Sequence, residues 1–152
     1  MKNEDHVSTR LVRYGTQVTS GDVRALGQFV LQRTESALKD APAGSAAGHT
    51  ALGLQATVKT LTGQLTAYLL SPADPESAWN RLARMLAIDS AWNLLIEAAS
   101  PWSRDPDYDQ ERWQRTKLKE SLVMAQIDAA KAGDEQALEW LKAVPDSVGQ
   151  PA

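Results

Sequence analysis

The chain has 152 residues, 43% of them apolar and 23% charged, with a formal net charge of −3. That is one domain's length with enough apolar residues for a core. It holds no Cys, which excludes disulfides, thiol catalysis and thiolate-held metals. Residues 1–70 carry 7 Lys/Arg against 5 Asp/Glu and residues 71–152 carry 9 against 14, so neither half has the basic surplus of a nucleic-acid surface.

Residues 1–19 are mixed and polar, with Leu11, Val12, Tyr14 and Val18 as apolar anchors and Gly15 between them. They read as a flexible N-terminal arm that can dock on the body. Met1 to His6 contain no apolar stretch of the signal-peptide kind, so the expected compartment is the cytoplasm. No run of 18 apolar residues occurs, and no membrane association is expected.

The first helix is predicted from Ser20 or Asp22 to about Lys39. Val23, Leu26, Val30 and Ala37 recur at helical spacing, and Phe29 and Leu38 widen the face. Gly27 sits inside it at a cost of about 1 kcal/mol relative to Ala. Residues 40–48 form a loop of small residues. The second helix is predicted from Thr50 to Leu70, with a stripe of Leu54, Val58, Leu61, Leu65 and Tyr68 at gaps of 4, 3, 4 and 3, the seam of a bundle. Its other face (Gln55, Thr57, Thr60, Thr62, Gly63, Gln64, Thr66) has Lys59 as its one charge. Solvated helix faces ordinarily carry Glu and Lys, so this one is expected to pack against a neighbour, within the chain or in another copy.

Ser71-Pro72 and Ser100-Pro101 each end an apolar-periodic segment, because the residue before a proline is pushed out of the α region. Asp74-Pro75 and Asp105-Pro106 each read as a helix start, since Asp caps and Pro suits the first helical position. Between them, residues 75–99 repeat Ser77-Ala78-Trp79-Asn80 as Ser90-Ala91-Trp92-Asn93. One continuous or slightly kinked helix would have the seam Ala78, Leu82, Met85, Asp89, Trp92, Ile96, Ala99, with a carboxylate in its middle that needs a partner such as an Arg. The alternative is a break at which Asp89 caps a second short helix.

The fourth helix is predicted from Asp105 or Asp107 to about Ala132, with Leu118, Leu122, Ala125, Ala129 and Ala132 as its stripe. Gly133 ends it and Asp134 caps a last helix that buries Leu138 and Leu141, with Trp140 at their edge. Pro145 stops that helix, and residues 146–152 are expected to fray. The fold class is therefore all-α: an antiparallel bundle of four long helices plus a short C-terminal helix, over residues 20–145.

Asp105, Asp107, Asp109 and Glu111 have the alternation of a calcium loop, but Gln110 and Thr116 stand where that loop needs Gly and Glu. They read as an acidic first helical turn, and no metal or cofactor is expected. Arg112, Arg115, Lys117 and Lys119 follow, with Trp113 among them; on a helix they would form a basic face able to meet phosphates, or a salt-bridged face. His6 and His49 are the two imidazoles, and no catalytic constellation or Gly-rich phosphate loop accompanies them. Trp102, in a linker, is expected to be partly exposed and, with Tyr108 and Trp113, to anchor a partner.

The string from Ala99 to Trp113, with an aromatic followed by Pro106-Asp107-Tyr108 and then Trp113, resembles a pattern in small uncharacterised actinobacterial helical proteins. It departs from that pattern at Arg104-Asp105 and in its continuation into a long helix. The resemblance covers about a tenth of the chain; it implies a high-GC bacterial origin and no activity. The expectation for function is a non-enzymatic protein-interaction or regulatory module, self-associating through the second helix. Trp102, Tyr108, Trp113, Arg112, Arg115 and Lys119 are its candidate partner-binding residues. The alternative is a nucleic-acid-associated regulator using the Arg112–Lys119 face, and a more distant one is a ligand pocket with Asp89 as its polar group.

Overall fold

The computed structural model describes Val12, residues 14–70 and residues 78–143, without the side chains of Ala78 and Trp79. The arm over 1–11, the Ser71–Pro75 punctuation and the tail over 146–152 lie outside the described residues. Among the described residues five helices follow in order: α1 (Ser20–Asp40), α2 (Ala46–Leu70), α3 (Ala78–Ala99), α4 (Leu118–Lys131) and α5 (Glu135–Ala143). Three-residue 3-10 turns stand at Gly15–Gln17 and Ser100–Trp102. Each helix packs on the next and α1 also reaches α3. The fold is an all-α bundle with a short C-terminal helix.

Local chemistry sets the helix ends. At the start of α1, Thr19 Oγ1 accepts the Asp22 N–H at 3.1 Å and Asp22 Oδ2 accepts the Thr19 N–H at 2.9 Å, a reciprocal capping box. Val23, Leu26, Phe29 and Val30 are buried as their spacing predicts. Ala37 is exposed and Thr34 is buried in its stead, its hydroxyl satisfied by the Leu31 carbonyl at 2.9 Å. Helix α2 starts four residues earlier than its apolar pattern, because Ser45 Oγ accepts the Gly48 N–H at 3.2 Å.

Val58, Leu61 and Leu65 of the α2 stripe are buried, whereas Tyr68 is 41% exposed. A strict seven-residue repeat drifts by about 20° per heptad on a straight helix, which carries the last stripe residue out of the core. Gly27 has a purpose in this packing: a Cβ there would lie 2.6 Å from Thr62 Cγ2, so its absence lets α1 approach α2 closely. Helix α3 is continuous, and Met85, Ile88, Asp89, Ala91, Trp92, Leu95, Ile96 and Ala99 are buried along it.

The fourth helix departs from expectation. Asp105-Pro106 does not open it; residues 103–117 are turns and extended chain, and α4 begins at Leu118. The acidic residues close turns instead. Asp105 Oδ1 accepts the Asp107 N–H at 2.9 Å, and Asp109 Oδ1 accepts those of Glu111 and Arg112 at 3.2 and 3.0 Å. A short carboxylate that captures amides two or three residues ahead competes with helix formation. Within α4 the inward face is Ser121, Ala125 and Gln126, while Leu118 is 37% exposed.

The end of α4 follows its sequence. Gly133 has φ +97°, and the Asp134 N–H reaches Ala129 O at 3.0 Å while the Gly133 N–H reaches Ala130 O at 3.0 Å, the paired bonds of a Schellman end. Asp134 Oδ1 then caps α5 by accepting the Ala137 N–H at 3.0 Å. That cap turns Ala137 inward, fully buried, and leaves Leu138, about 100° further round, 47% exposed. Leu138 is thus not the core residue its apolarity predicted.

The described part of the N-terminal segment is packed, not a free arm. Val12 and Val18 are 0% and 4% exposed in the core, and the Val12 N–H donates to the Glu111 carbonyl at 3.2 Å.

Candidate functional site

The six expected partner-binding residues do not form one surface. Tyr108 and Trp113 are core residues, 8% and 7% exposed, in a cluster with Phe29 whose ring centroids lie 5.1–5.7 Å apart. Their burial corrects their expected role as exposed anchors: the segment over residues 103–117 folds inward on them because three edge-to-face or tilted rings bury more together than apart. The Tyr108 hydroxyl donates to the Trp113 carbonyl at 3.0 Å, and burial pushes its pKa up. Trp102 is half-buried against the same core.

The basic residues are also dispersed. Arg112 to Lys117 precede α4, so no helical basic face runs from Arg112 to Lys119. Arg112 is bound to Asp22 through Nη2 at 2.6 Å and Nε at 3.0 Å, and to the Gln17 carbonyl at 3.0 Å. Burial alone would raise the Asp22 carboxyl, but the Arg112 and Thr19 hydrogen bonds outweigh it and hold the carboxyl below its ordinary range. Arg115 pairs with Glu97 at the surface, Lys117 with Glu120 at 3.8 Å, and Lys119 is exposed.

In the acidic run, Asp105 and Asp107 grip Arg33 at 3.0 and 3.2 Å. The Asp107 N–H, followed by Arg33, lowers the pKa of Asp105. Among the described residues no group of three or more His, Cys, Asp or Glu has the arrangement of a metal site.

Asp89, the carboxylate in the α3 seam, is 2% exposed. Its partners are two hydroxyls and, at 3.5 Å on Oδ2, the Asn93 amide, not the arginine its position called for. Oδ1 accepts from Thr116 Oγ1 and from Ser121 Oγ, each at 2.6 Å. Ser121 Oγ in turn accepts the Gly15 N–H at 2.8 Å. Next to it, Asn93 brackets the Thr116 backbone, accepting its N–H and donating to its carbonyl, both at 2.9 Å, while Trp92 Nε1 donates to the Gln114 carbonyl at 2.8 Å. The second Ser-Ala-Trp-Asn copy thereby fastens the 103–117 segment to α3. A Cβ on Gly15 would meet Met85 Sδ at 2.7 Å and Asp89 Oδ1 at 3.0 Å, so glycine is required for this approach. The network is an internal clasp, and Asp89 does not line the cleft beside it.

A cleft of about 640 Å³ does lie alongside. From α3 it takes Arg81, Arg84, Met85 and Ile88, and from α4 and its C-cap Ala125, Asp128, Ala129 and Ala132. Both sets have the i, i+3, i+4, i+7 spacing of one helical face. Gly15, Thr16, Leu69, Gly133 and Asp134 complete its edge. Arg81 Nη1 pairs with Asp134 at 2.7 Å and Nε donates to Gln126 Oε1 at 3.3 Å. The Ala137 N–H, followed by Arg81, holds the Asp134 carboxyl below its ordinary range. Arg84 donates to the Tyr68 carbonyl through Nη2 at 2.6 Å and Nε at 3.1 Å. Of these residues the sequence marked Met85 and the alanines as core and Gly133-Asp134 as a helix end and cap, and none as lining a cleft.

The outer side of α2 is the second distinctive feature. Leu52, Gly53, Ala56, Thr57, Thr60, Gly63 and Gln64 are exposed along it, Leu52 at 54%, and Leu70 at its end is 67% exposed. The threonines turn their hydroxyls back on the helix: Thr57 donates to Gly53 O and Thr60 to Ala56 O, both at 3.0 Å. Against known proteins, no family model, no curated protein and no solved structure matches this chain.

Proposed function

We propose that this protein is a non-enzymatic helical interaction module that self-associates through the outer side of α2. The observation that carries this reading is the charge content of that helix: Lys59 is the one Lys, Arg, Asp or Glu in 25 residues, on an element whose outer face is exposed. A helix apolar or neutral all round ordinarily has its whole surface covered, and exposed apolar patches rimmed by polar residues mark interaction sites. A two-fold contact sets a patch against its own copy. A face whose one charge is Lys59 brings few like charges together, which suits a second copy better than it suits a charged partner.

The test is a carboxylate on that face. Ala56 is exposed, so Ala56→Glu leaves the core intact while placing two carboxylates in a two-fold contact. Light scattering should show the wild-type protein as a dimer and the variant as a monomer with an unchanged melting curve. An equal mass for the two would overturn the assignment of the face.

A further inference from the structure

We propose that the cleft between α3 and α4 is a binding site for a small amphipathic amine, with its apolar body on Met85, Ile88 and the α4 alanines and its ammonium group at Asp128. This is separate from self-association, since the cleft is lined mainly by α3 and α4 and meets α2 at Leu69, while the proposed contact lies on the outer side of α2.

The cleft exists because of residue size. Where α4 faces α3 it presents Ala125, Ala129 and Ala132, and a cleft of about 640 Å³ remains. That volume is within the range of small-molecule sites, about 300–1,000 Å³. Leucines at these positions would have closed it, as they close the rest of the bundle.

The charge preference comes from which ionised groups are already matched. Arg81 and Asp134 neutralise each other at 2.7 Å. Arg84 spends two donors on the Tyr68 carbonyl in the last turn of α2, where a cation is favoured by the helix dipole. Asp128 has no side-chain hydrogen bond or ion pair among the described residues. It also stands in the last turn of α4, which ends at Lys131. There the helix dipole opposes a carboxylate and attracts a cation. An acid at a helix C-terminus, on the rim of an apolar cleft, breaks a local rule without a compensating contact among the described residues. Such breaks are expected at functional positions, and a ligand cation supplies the missing charge.

The experiment is an NMR titration of the full ¹⁵N-labelled chain with three probes of one shape: 2-phenylethylamine, 2-phenylethanol and 3-phenylpropanoate. The expected result is saturable amide shifts confined to the 81–88 and 125–134 segments, tightest with the amine and weakest with the acid. Asp128→Asn should weaken the amine by about 3- to 5-fold and leave the alcohol unchanged. Ala129→Leu should abolish the shifts with all three while the protein keeps its cooperative melt. The proposal is overturned by an absence of saturable shifts with the amine, by an acid that binds as tightly as the amine, or by Ala129→Leu retaining binding. If Ala129→Leu does not fold, the exposed Asp128→Asn decides the matter alone: an unchanged amine affinity overturns the site.

Discussion

Ser121 Oγ stands 2.6 Å from Asp89 Oδ1 and 2.8 Å from the Gly15 nitrogen, donating to the first and accepting from the second. One hydroxyl thus joins the N-terminal 3-10 turn, the middle of α3 and the first turn of α4. All three atoms are screened from water, so loss of the hydroxyl leaves the Gly15 N–H unpaired and Asp89 Oδ1 with the Thr116 hydroxyl alone.

Ser121→Ala is therefore expected to destabilise the protein by about 1–3 kcal/mol, although the substitution raises helix propensity. Denaturant unfolding measures it. A stability equal to wild type would mean the Gly15 N–H and Asp89 find other partners.

Gly27→Ala sets two effects against each other. Helix propensity favours Ala by about 1 kcal/mol, while the new Cβ would stand 2.6 Å from Thr62 Cγ2, and overpacking costs about 1–3 kcal/mol. The clash should win, lowering the melting temperature. Thr62→Ser deletes the offending methyl, so the double variant should recover wild-type stability or exceed it. A destabilised double variant would place the obstruction elsewhere.

Asp22, Asp105 and Asp134 all have carboxyl pKa values below the ordinary range in the fold. A depressed folded-state value means the contribution is complete above the unfolded pKa, about 3.9, and is lost as pH falls through the folded value. Stability should thus be flat near neutrality and fall below about pH 4. Asp22→Asn, which breaks the most buried of the three pairs, should cost about 2–3 kcal/mol at pH 7. Its deficit should shrink in the acid. Urea midpoints across pH measure this, and a deficit that grew with acidity would reverse the sign.

Trp102 is half-buried against the core, in the 3-10 turn that follows α3 and not on α2. Trp102→Ala should lower stability by about 1–2 kcal/mol, less than the 3–5 kcal/mol of a fully buried aromatic, and leave the oligomeric mass unchanged. Loss of the dimer with an intact melting curve would return Trp102 to the interaction surface.

The all-α class and most of α1, α2 and α3 were legible because apolar spacing and caps are local. Gly133-Asp134 was readable in full, since both its tasks fall within four residues. The 103–117 segment misled because Asp-Pro and alternating acids suit a helix start and an Asx turn equally. What decided between them was burial of Tyr108 and Trp113 against Phe29, contacts made across the fold. Asp89 in an apolar seam signalled a buried partner, but Thr116 and Ser121 lie 27 and 32 residues away and carry no local mark of that task. The cleft was hidden for a related reason: Ala125, Ala129 and Ala132 have the period of a core stripe, and periodicity does not record that alanines are too short to fill the space they face.

Self-association through α2 is tested most directly by light scattering of the wild-type chain across a dilution series, with absorbance read at 260 and 280 nm. A mass near twice that of the chain, falling toward one chain on dilution and free of nucleic-acid absorbance, is the predicted result. A mass of one chain at every concentration would contradict it.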